Sequence, residues 1–314
     1  MTLVAQRGVT LALPIPLPVE AAILRAVLYA DVFDYALTLD ELQRYLVGES
    51  ISLGELRATL ASSEWLAARV AQIAGVYALS GRTELAAQRR ARAGHSARLW
   101  IEACRWGGRL ARLPFVRMVA VTGALSVNNA AAHDDIDFLL VTAPGRVWLA
   151  RALAVALVRL ARFVQINLCP NYVLAETALA LDRRDLFVAH ELAQMIPLAG
   201  LETYWQMRTA NAWAADFLPN ARTAPRTEPD LAPRGAGRWA QRLAEFLLGG
   251  KLGDWLERWE RNRKIAKFNK QFAQASPSAV LDESQVKGHF NDYGQKTILA
   301  YEDRCRQYQL PVTE

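Results

Sequence analysis

Cysteine is scarce in this chain, and the cysteines that it has lie far apart. They form no C-x-x-C pair and no even-numbered framework, which excludes a small disulfide-stapled fold and gives no sign of a zinc site. Scarce, unpaired thiols are typical of a reducing compartment. The positions are Cys104, Cys169 and Cys305.

Long, uninterrupted apolar runs are also missing. The most apolar helical segment, residues 147–164, contains three arginines, whose charge excludes a simple membrane span. The first 20 residues lack the basic opening cluster and the small-residue cleavage site of a secretion signal, and prolines interrupt their apolar run. We therefore expect a cytoplasmic protein without a transmembrane segment.

Lysine does not occur before position 251, so arginine alone supplies the positive charge of the earlier chain. Residues 1–80 carry a net charge of −3 and residues 81–118 a net charge of +7, within a chain of net charge +6. Basic charge is therefore concentrated in segments. With 314 residues, of which 52% are apolar, the chain is long enough for two or three packed units.

Residues 19–80 have the pattern of a small helical unit that ends in a hairpin. Their spacing resembles the winged helix-turn-helix units of bacteria. The signals are a helical period over 19–35, capping boxes at Thr38-x-x-Glu41 and Ser52-x-x-Glu55, and an alternating hairpin over 66–79 with Gly75 in its turn.

DNA binding by this unit is nevertheless not expected. The helix in the recognition position offers Arg57 as its only cation, with Glu55 and Glu64 close by in sequence. Phosphate contacts supply most of the affinity for nucleic acids, so an acidic unit is a poor DNA reader. We expect it to be a packing or protein-docking module.

The rest of the chain divides into a linking helix, a central unit and a helical region. An Arg-rich helix over 81–114, with an expected solvated basic face, leads into a core at 115–180 that contains three strands and one helix. Residues 181–314 are expected to be helical, with an exposed Pro- and Gly-rich linker at 221–237. The predicted fold class is α+β, with a small mixed sheet between a winged helix and a C-terminal helical region.

Three aspartates, Asp134, Asp135 and Asp137, stand where the second strand of this core begins. Adjacent carboxylates repel one another, so their entry into an apolar core is costly unless a cation is bound there. Side chains alternate along a strand, which places Asp135 and Asp137 on one face. Mg²⁺ suits two such carboxylates because it takes its remaining ligands from water and phosphate. Gly123, after the preceding strand, would let a phosphate approach the backbone.

This order of a strand, a glycine turn, a short helix and Asp-x-Asp on the next strand resembles the DNA polymerase beta-like nucleotidyltransferase superfamily. In the resemblance, Gly123 is the turn glycine, and Asp135 and Asp137 are the paired metal carboxylates. It implies Mg²⁺ or Mn²⁺ as cofactor and a nucleoside triphosphate, expected to be ATP, as substrate. The implied reaction is NMP transfer to a hydroxyl acceptor, which could be a protein, an RNA end or a small molecule.

The sequence departs from the family pattern at several positions. Ala124 replaces the turn serine, and Ser126 follows two residues later. The third carboxylate, the general base, has no clear counterpart: Asn171 stands on the expected strand, and Glu176 is the nearest acid. Lys287 could reach a triphosphate from the C-terminal helices. These residues complete the predicted site, with Glu176 as the catalytic base and the others as nucleotide contacts.

Two alternative functions remain open at this stage. A catalytically degenerate module could bind a nucleotide or a partner without transfer, as the replaced serine and the missing acid would allow. A winged-helix regulator could bind nucleic acid while the core senses nucleotide. The basic segment 251–270 could contact RNA or an anionic membrane, but the spacing of Trp255 and Trp259 favours a core stripe with a solvated basic face.

Overall fold

The computed structural model describes residues 15–271, 282–287 and 293–311, without the side chains of residues 268–271 and of Lys287. The architecture is mixed α+β, as predicted. Within the described ranges the strands form one three-stranded and one five-stranded sheet. No helix in this part of the chain combines the length and the apolar character needed to cross a membrane.

The N-terminal unit contains the short helices and the hairpin that the sequence predicts. The strands pair in the order β1-β3-β2. Both capping boxes form; for example, the Thr38 amide donates to Glu41 Oε2 at 2.8 Å while the Glu41 amide donates back to Thr38 Oγ1. The elements are α1 Pro18–Asp31, β1 Leu37–Thr38, α2 Leu39–Arg44, α3 Leu53–Ser62, α4 Glu64–Ala67, β2 Val70–Ile73 and β3 Val76–Leu79.

Helix α5, Glu84–Leu110, leads from this unit to the central sheet. The expected solvated basic face is wrong for part of this helix, because Arg89 and Arg92 bind groups of the N-terminal unit. Arg89 donates to the Ala36 carbonyl at 2.6 Å and pairs with Glu41 at 2.9 Å. Charge-assisted hydrogen bonds of this kind fix the position of the unit against the helix.

The five-stranded sheet has the order β7-β4-β5-β6-β8. Strands β5 and β6 are parallel and are joined through α7, whereas β4 is antiparallel to both of its neighbours. Sequence predicts β4, β5 and β6, but β7 and β8 correct the expectation that residues 181–314 are helical. The elements are β4 Val116–Val121, α6 Gly123–Ser126, β5 Ile136–Thr142, α7 Val147–Phe163, β6 Leu168–Ala175, β7 Ile196–Ala199 and β8 Gln285–Lys287.

The remaining helices pack around this sheet. The prediction that Trp255 and Trp259 form a core stripe is wrong, because both side chains are exposed. These helices are α8 Leu186–Gln194, α9 Leu201–Ala210, α10 Ala214–Phe217, α11 Gly235–Leu248, α12 Lys251–Gln271 and α13 Tyr293–Gln307.

The segment 221–237 is not a freely exposed linker. The Leu231 amide donates to the Leu198 carbonyl at 2.8 Å, beside the outer strand β7. Arg226 lies over the Trp100 ring, with the guanidinium carbon 3.4 Å from its centre. The segment packs against the sheet because the edge of β7 would otherwise leave buried backbone groups without partners.

The two faces of the sheet belong to different cores. Phe138 and Leu140 of β5 point toward the cluster that contains α5 and α7. Leu139 and Val141 point the other way, into the cluster that contains α8 and the N-terminal unit. Since side chains alternate, Asp135 and Asp137 share this second face. The acids therefore lie where the strand emerges toward α8 and the N-terminal unit.

Candidate active site

Gly123 and Asp137 lie against each other where β4 ends and β5 begins. The Thr122 amide donates to the Asp137 carbonyl at 3.1 Å, which holds the two backbones together. Gly123 has a φ of +65°, and a Cβ atom built on it would lie 2.5 Å from Asp137 Oδ2. Glycine is required here both for its left-handed backbone and for the space beside the carboxylate.

The predicted pair of carboxylates stands at the start of β5, where strand alternation would place both on one side of the sheet. Asp135 is exposed and directly precedes β5. Asp137 is half-buried and is the second residue of this strand. Asp134 is exposed, and its carboxylate accepts the Ala131 amide at 2.7 Å, so it serves the loop. Asp134 is thus engaged within its loop, which leaves Asp135 and Asp137 as the candidate ligands.

Asp137 is electrostatically unusual. Burial is the largest of the effects that raise its pKa to about 7, and the charges of Glu191, Asp135 and Asp134 add to it, while a hydrogen bond with Cys169 opposes them. A carboxylate surrounded by other carboxylates favours the proton or a cation. This pKa fits a position that a divalent cation would complete.

Glu191, which the sequence reasoning missed, supplies the third acid near this point. It stands on α8, and its charge is the largest of those that raise the pKa of Asp137. The sequence contains a weak signal, since Glu191 is the only acid in an otherwise mostly apolar helix. Its neighbourhood with Asp137 depends on how α8 packs, which the sequence does not reveal.

A cavity of about 110 Å³ opens beside the Gly123 turn. The central sheet contributes the turn itself, and α8 contributes Glu191. The N-terminal unit forms the opposite wall, so the site lies between the two units. The other lining residues include Tyr29, Phe33, Tyr35, Tyr45, Ala124, Asn129 and His190.

Asn129 ties the loop after α6 to its surroundings. Its side chain donates to the Phe33 carbonyl at 3.1 Å and accepts from Arg92 at 3.0 Å. Its amide donates to the Ala124 carbonyl at 2.8 Å. The turn that carries Gly123 is therefore held by both the N-terminal unit and α5.

His190 behaves as a packed histidine. It is buried, its Nδ1 lies 2.9 Å from the Leu186 carbonyl oxygen, and its ring stacks on Tyr29 at 3.7 Å. Burial lowers its pKa to about 4, so the ring is neutral near pH 7. It forms a wall of the cavity and has no charge to offer a ligand.

The predicted nucleotide contacts fall into two groups. Ala124 lines the cavity, and Asn171 Nδ2 lies 3.4 Å from Thr122 Oγ1, so both lie near the turn. The prediction that Ser126 contacts the nucleotide is corrected by the structure. Its buried hydroxyl donates to the Gly123 carbonyl at 2.8 Å and closes the turn from inside. This hydroxyl does not take the place of the serine that Ala124 replaces.

Glu176 is a second correction, because the structure places it at the other end of the sheet. It follows β6, whose last residue pairs with Thr142, five positions along β5 from Asp137. At the usual strand rise this corresponds to roughly 17 Å. Its carboxylate lies 3.9 Å from Arg117. It cannot act as a base at Asp137.

Lys287 lies on an edge strand, which corrects its predicted location on a helix. Its backbone in β8 is paired with Tyr172 of β6, so β6 separates it from β5. The side chain lies outside the described part of the structure. Its contact with a triphosphate stays a prediction.

Cys169 occupies the place on β6 directly opposite Asp137. Burial and the neighbouring carboxylate raise the pKa of its thiol to about 12, so it is neutral and protonated near pH 7. The sequence alone gives no reason to select this cysteine, because the pairing register of β5 and β6 is fixed by the fold. The strand neighbour of Asp137 is thus a thiol that cannot accept a proton.

A cation at this site would need ligands from its substrate. Among residues 15–271, 282–287 and 293–311, no three His, Cys, Asp or Glu side chains are grouped so that they could hold a metal ion. Asp135 and Asp137 alone fit Mg²⁺ or Mn²⁺ if phosphate oxygens and water complete the shell. Comparisons of the chain with protein-family models, curated proteins and solved structures give no match.

Proposed function

We propose that this protein is a metal-dependent nucleotidyltransferase that transfers NMP from a nucleoside triphosphate, expected to be ATP, to a hydroxyl acceptor. One observation carries the proposal: Gly123 and Asp137 approach so closely that a Cβ would lie 2.5 Å from the carboxylate. Strand alternation would place Asp135 on the same face, and a cavity opens beside the turn. Such a turn beside paired carboxylates suits a polyphosphate and its cation.

The residues of the chain have distinct roles in this proposal. Asp135 and Asp137 hold Mg²⁺ or Mn²⁺, which when bound neutralises phosphate charge and lowers the pKa of the attacking hydroxyl. The backbone amides of Gly123 and Ala124 face the phosphates in this proposal, because the first amides of a helix have no partner inside it. Glu191 accepts the proton of the acceptor, in place of the excluded Glu176.

The same proposal extends to the fold. The succession of β4, α6, β5, α7 and a parallel β6 supports a polymerase beta-like core at 115–180. Three short helices with a paired hairpin support a winged helix at 19–80. In this proposal the winged helix is a wall of the active site, since its aromatic residues line the cavity.

A second candidate is a module that binds nucleotide without transferring it. Cys169 favours this candidate, because the strand position opposite Asp137 carries a protonated thiol. Transfer then depends wholly on whether Glu191 can act as the base. Release of pyrophosphate separates the two, since a transferase releases it and should lose this release in Glu191→Gln, whereas a binding module releases none.

The experiment is a transfer assay with α-labelled nucleoside triphosphates, Mg²⁺ or Mn²⁺, and acceptors from protein, RNA and small-molecule fractions. We expect labelled acceptor and released pyrophosphate with the wild type and with Glu176→Gln, and neither with Asp135→Asn or Asp137→Asn. Nucleotide binding without pyrophosphate release would support the binding module. Transfer that survives both aspartate changes would refute the proposal.

A further inference from the structure

Helix α11 is attached to the protein through its polar side chains. Gln241 donates to the carbonyls of Ala111 and Leu113, at 3.1 and 2.8 Å. Glu245 accepts the Phe115 amide at 2.7 Å. These hydrogen bonds satisfy groups at the end of α5 and the start of β4. The face of α11 that meets the protein is therefore the polar one.

The opposite face of α11 is apolar and exposed. Trp239, Leu243, Phe246 and Leu247 are between 60 and 82% exposed. At 100° per residue, three of them stand roughly half a turn from Gln241. A surface helix of a globular protein has the reverse arrangement, with its apolar stripe against the core. Four large apolar side chains on one outward stripe mark a contact surface.

Helix α12 repeats this inverted arrangement. Glu257 is buried and accepts the amides of Trp148 and Leu149, at 2.9 and 2.7 Å, which caps α7. Buried Glu260 pairs with Arg263 at 2.5 Å. Its outward side carries three apolar side chains, each 50 to 57% exposed: Leu252, Trp255 and Trp259.

Helices α11 and α12 meet at a tight junction. A Cβ on Gly253 would lie 1.6 Å from the Leu248 carbonyl oxygen, so the first turn of α12 is pressed against the end of α11. This contact fixes the two helices relative to each other. The seven exposed apolar side chains of α11 and α12 are called the outer face below.

On α11 and α12 the acidic side chains are bound to the protein, and basic side chains are exposed. Residues 235–271 contain nine Lys or Arg and four Asp or Glu. All four acids have partners in the protein. Asp254 pairs with Arg146 at 2.7 Å. Glu245 and Glu257 accept backbone amides, and Glu260 pairs with Arg263. Exposed bases remain around the apolar side chains: Arg238, Arg242, Lys251, Arg258 and Lys267.

We infer that the outer face binds the surface of an anionic lipid membrane. Tryptophan, phenylalanine and leucine enter the boundary between headgroups and acyl chains, while the surrounding Lys and Arg contact anionic headgroups. The helices lie in the plane of this boundary and do not span it. The inference concerns a surface away from the nucleotide site and goes beyond the proposed reaction.

Two other occupants fit the outer face less well. Nucleic-acid bases stack on aromatic rings, but they gain nothing from the exposed Leu243, Leu247 and Leu252. A second copy of the chain, with a net charge of +6, would bring basic residues against basic residues. Lipid is the partner that uses the aliphatic, aromatic and basic groups together.

The test is flotation of the full chain with lipid vesicles. We expect binding to vesicles in which about one third of the phosphatidylcholine is replaced by phosphatidylglycerol, weak binding to phosphatidylcholine alone, and a decrease with added salt. The double variant Phe246→Ser/Leu247→Ser should bind at least about tenfold more weakly. Phe163→Ser on α7 is the matched control, since Phe163 is 85% exposed and should leave binding unchanged.

A second measurement needs no variant. Dibrominated phospholipids in the anionic vesicles should quench part of the tryptophan emission of the wild type, because Trp239, Trp255 and Trp259 enter the boundary region. Absence of flotation with every vesicle, or equal binding of the double variant, would overturn the inference. So would a dimer, or a complex with single-stranded RNA, that the double variant abolishes without any vesicle binding by the wild type.

Discussion

Gly123 leaves just enough space for the carboxylate of Asp137: a Cβ on the glycine would lie 2.5 Å from Oδ2. Replacement of Gly123 by alanine should therefore displace the carboxylate and strain a backbone whose φ is +65°. We expect loss of transfer and a decrease of more than about 1 kcal/mol in the free energy of unfolding. Enzyme assay and urea unfolding measure the two effects.

Gly145→Ala is the matched control for this change. Gly145 has a nearly identical φ of +68°, but a Cβ built there meets no described atom within 4 Å. Its cost should be limited to the backbone conformation, about 1 kcal/mol, with transfer unchanged. Equal activity of the two alanine variants would show that the space beside Asp137 is not used.

Asp137 should destabilise the metal-free protein at neutral and alkaline pH. Its folded-state pKa of about 7 lies above the ordinary value of 3.8, so between these values the folded state binds more protons. Stability therefore falls as the pH rises from about 4 to 7. Asp137→Asn should remove this cost, which is at most about 4 kcal/mol at pH 8 and vanishes near pH 3.

Thermal unfolding at pH 8 and pH 4, without and with Mg²⁺ plus a non-hydrolysable nucleoside triphosphate, measures this effect. The variant should melt higher than the wild type at pH 8 when both ligands are absent, and only the wild type should gain from the metal and nucleotide together. Asp135→Asn is the control, because Asp135 is exposed and carries little of the burial cost. A variant that melts lower than the wild type at pH 8 contradicts the prediction.

Glu191 should control the proton affinity of Asp137. Its negative charge is the largest of those that raise the pKa of Asp137, so Glu191→Gln should lower that pKa. Carboxyl carbon NMR with labelled aspartate gives the titration midpoint. Glu176→Gln, at the far end of the sheet, should leave it unchanged. A midpoint that responds to neither change would separate Glu191 from the site.

The sequence predicts the features of this site that are local in the chain. Gly123, Asp135 and Asp137 follow from a turn residue and from strand alternation, which need only a few neighbouring residues. The capping box of Thr38 and Glu41 is local in the same sense, and it is present. The close approach of Gly123 and Asp137 agrees with this local prediction.

The features that depend on packing could not be predicted. Glu191 comes near Asp137 only through the position of α8, and Cys169 stands opposite Asp137 only through the register of β5 and β6. The position of Glu176 could not be predicted, because the length of β6 decides at which end of the sheet Glu176 lies. The exposure of the outer face could not be predicted, because the spacing of Trp255 and Trp259 indicates an apolar stripe but not whether that stripe meets the core or the solvent.

His190 should weaken the protein in acid. Its folded-state pKa of about 4 lies below the ordinary 6.5, so between these values the unfolded state binds more protons. This contribution to stability is complete above pH 6.5 and is lost as the pH falls toward 4, by up to about 3 kcal/mol. His190→Phe, which keeps a ring against Tyr29, should lack this loss.

The difference in unfolding free energy between wild type and His190→Phe across pH 4 to 8 isolates this effect from that of Asp137. We expect the difference to change in favour of the variant below pH 6.5. Parallel stability curves for the two proteins would mean that His190 takes up its proton equally in the folded and unfolded states. That result would contradict the prediction, which depends on the burial of His190 beside Tyr29.

Binding of Mn²⁺ in the presence of a non-hydrolysable nucleoside triphosphate, followed by electron paramagnetic resonance, tests the central claim most directly. Mn²⁺ with the nucleotide should bind to the wild type and to Glu176→Gln, and Asp137→Asn should reduce the affinity at least about tenfold. Equal binding by all three proteins, or nucleotide-dependent Mn²⁺ binding by none of them, would contradict the assignment of Asp135 and Asp137 as the metal site beside Gly123.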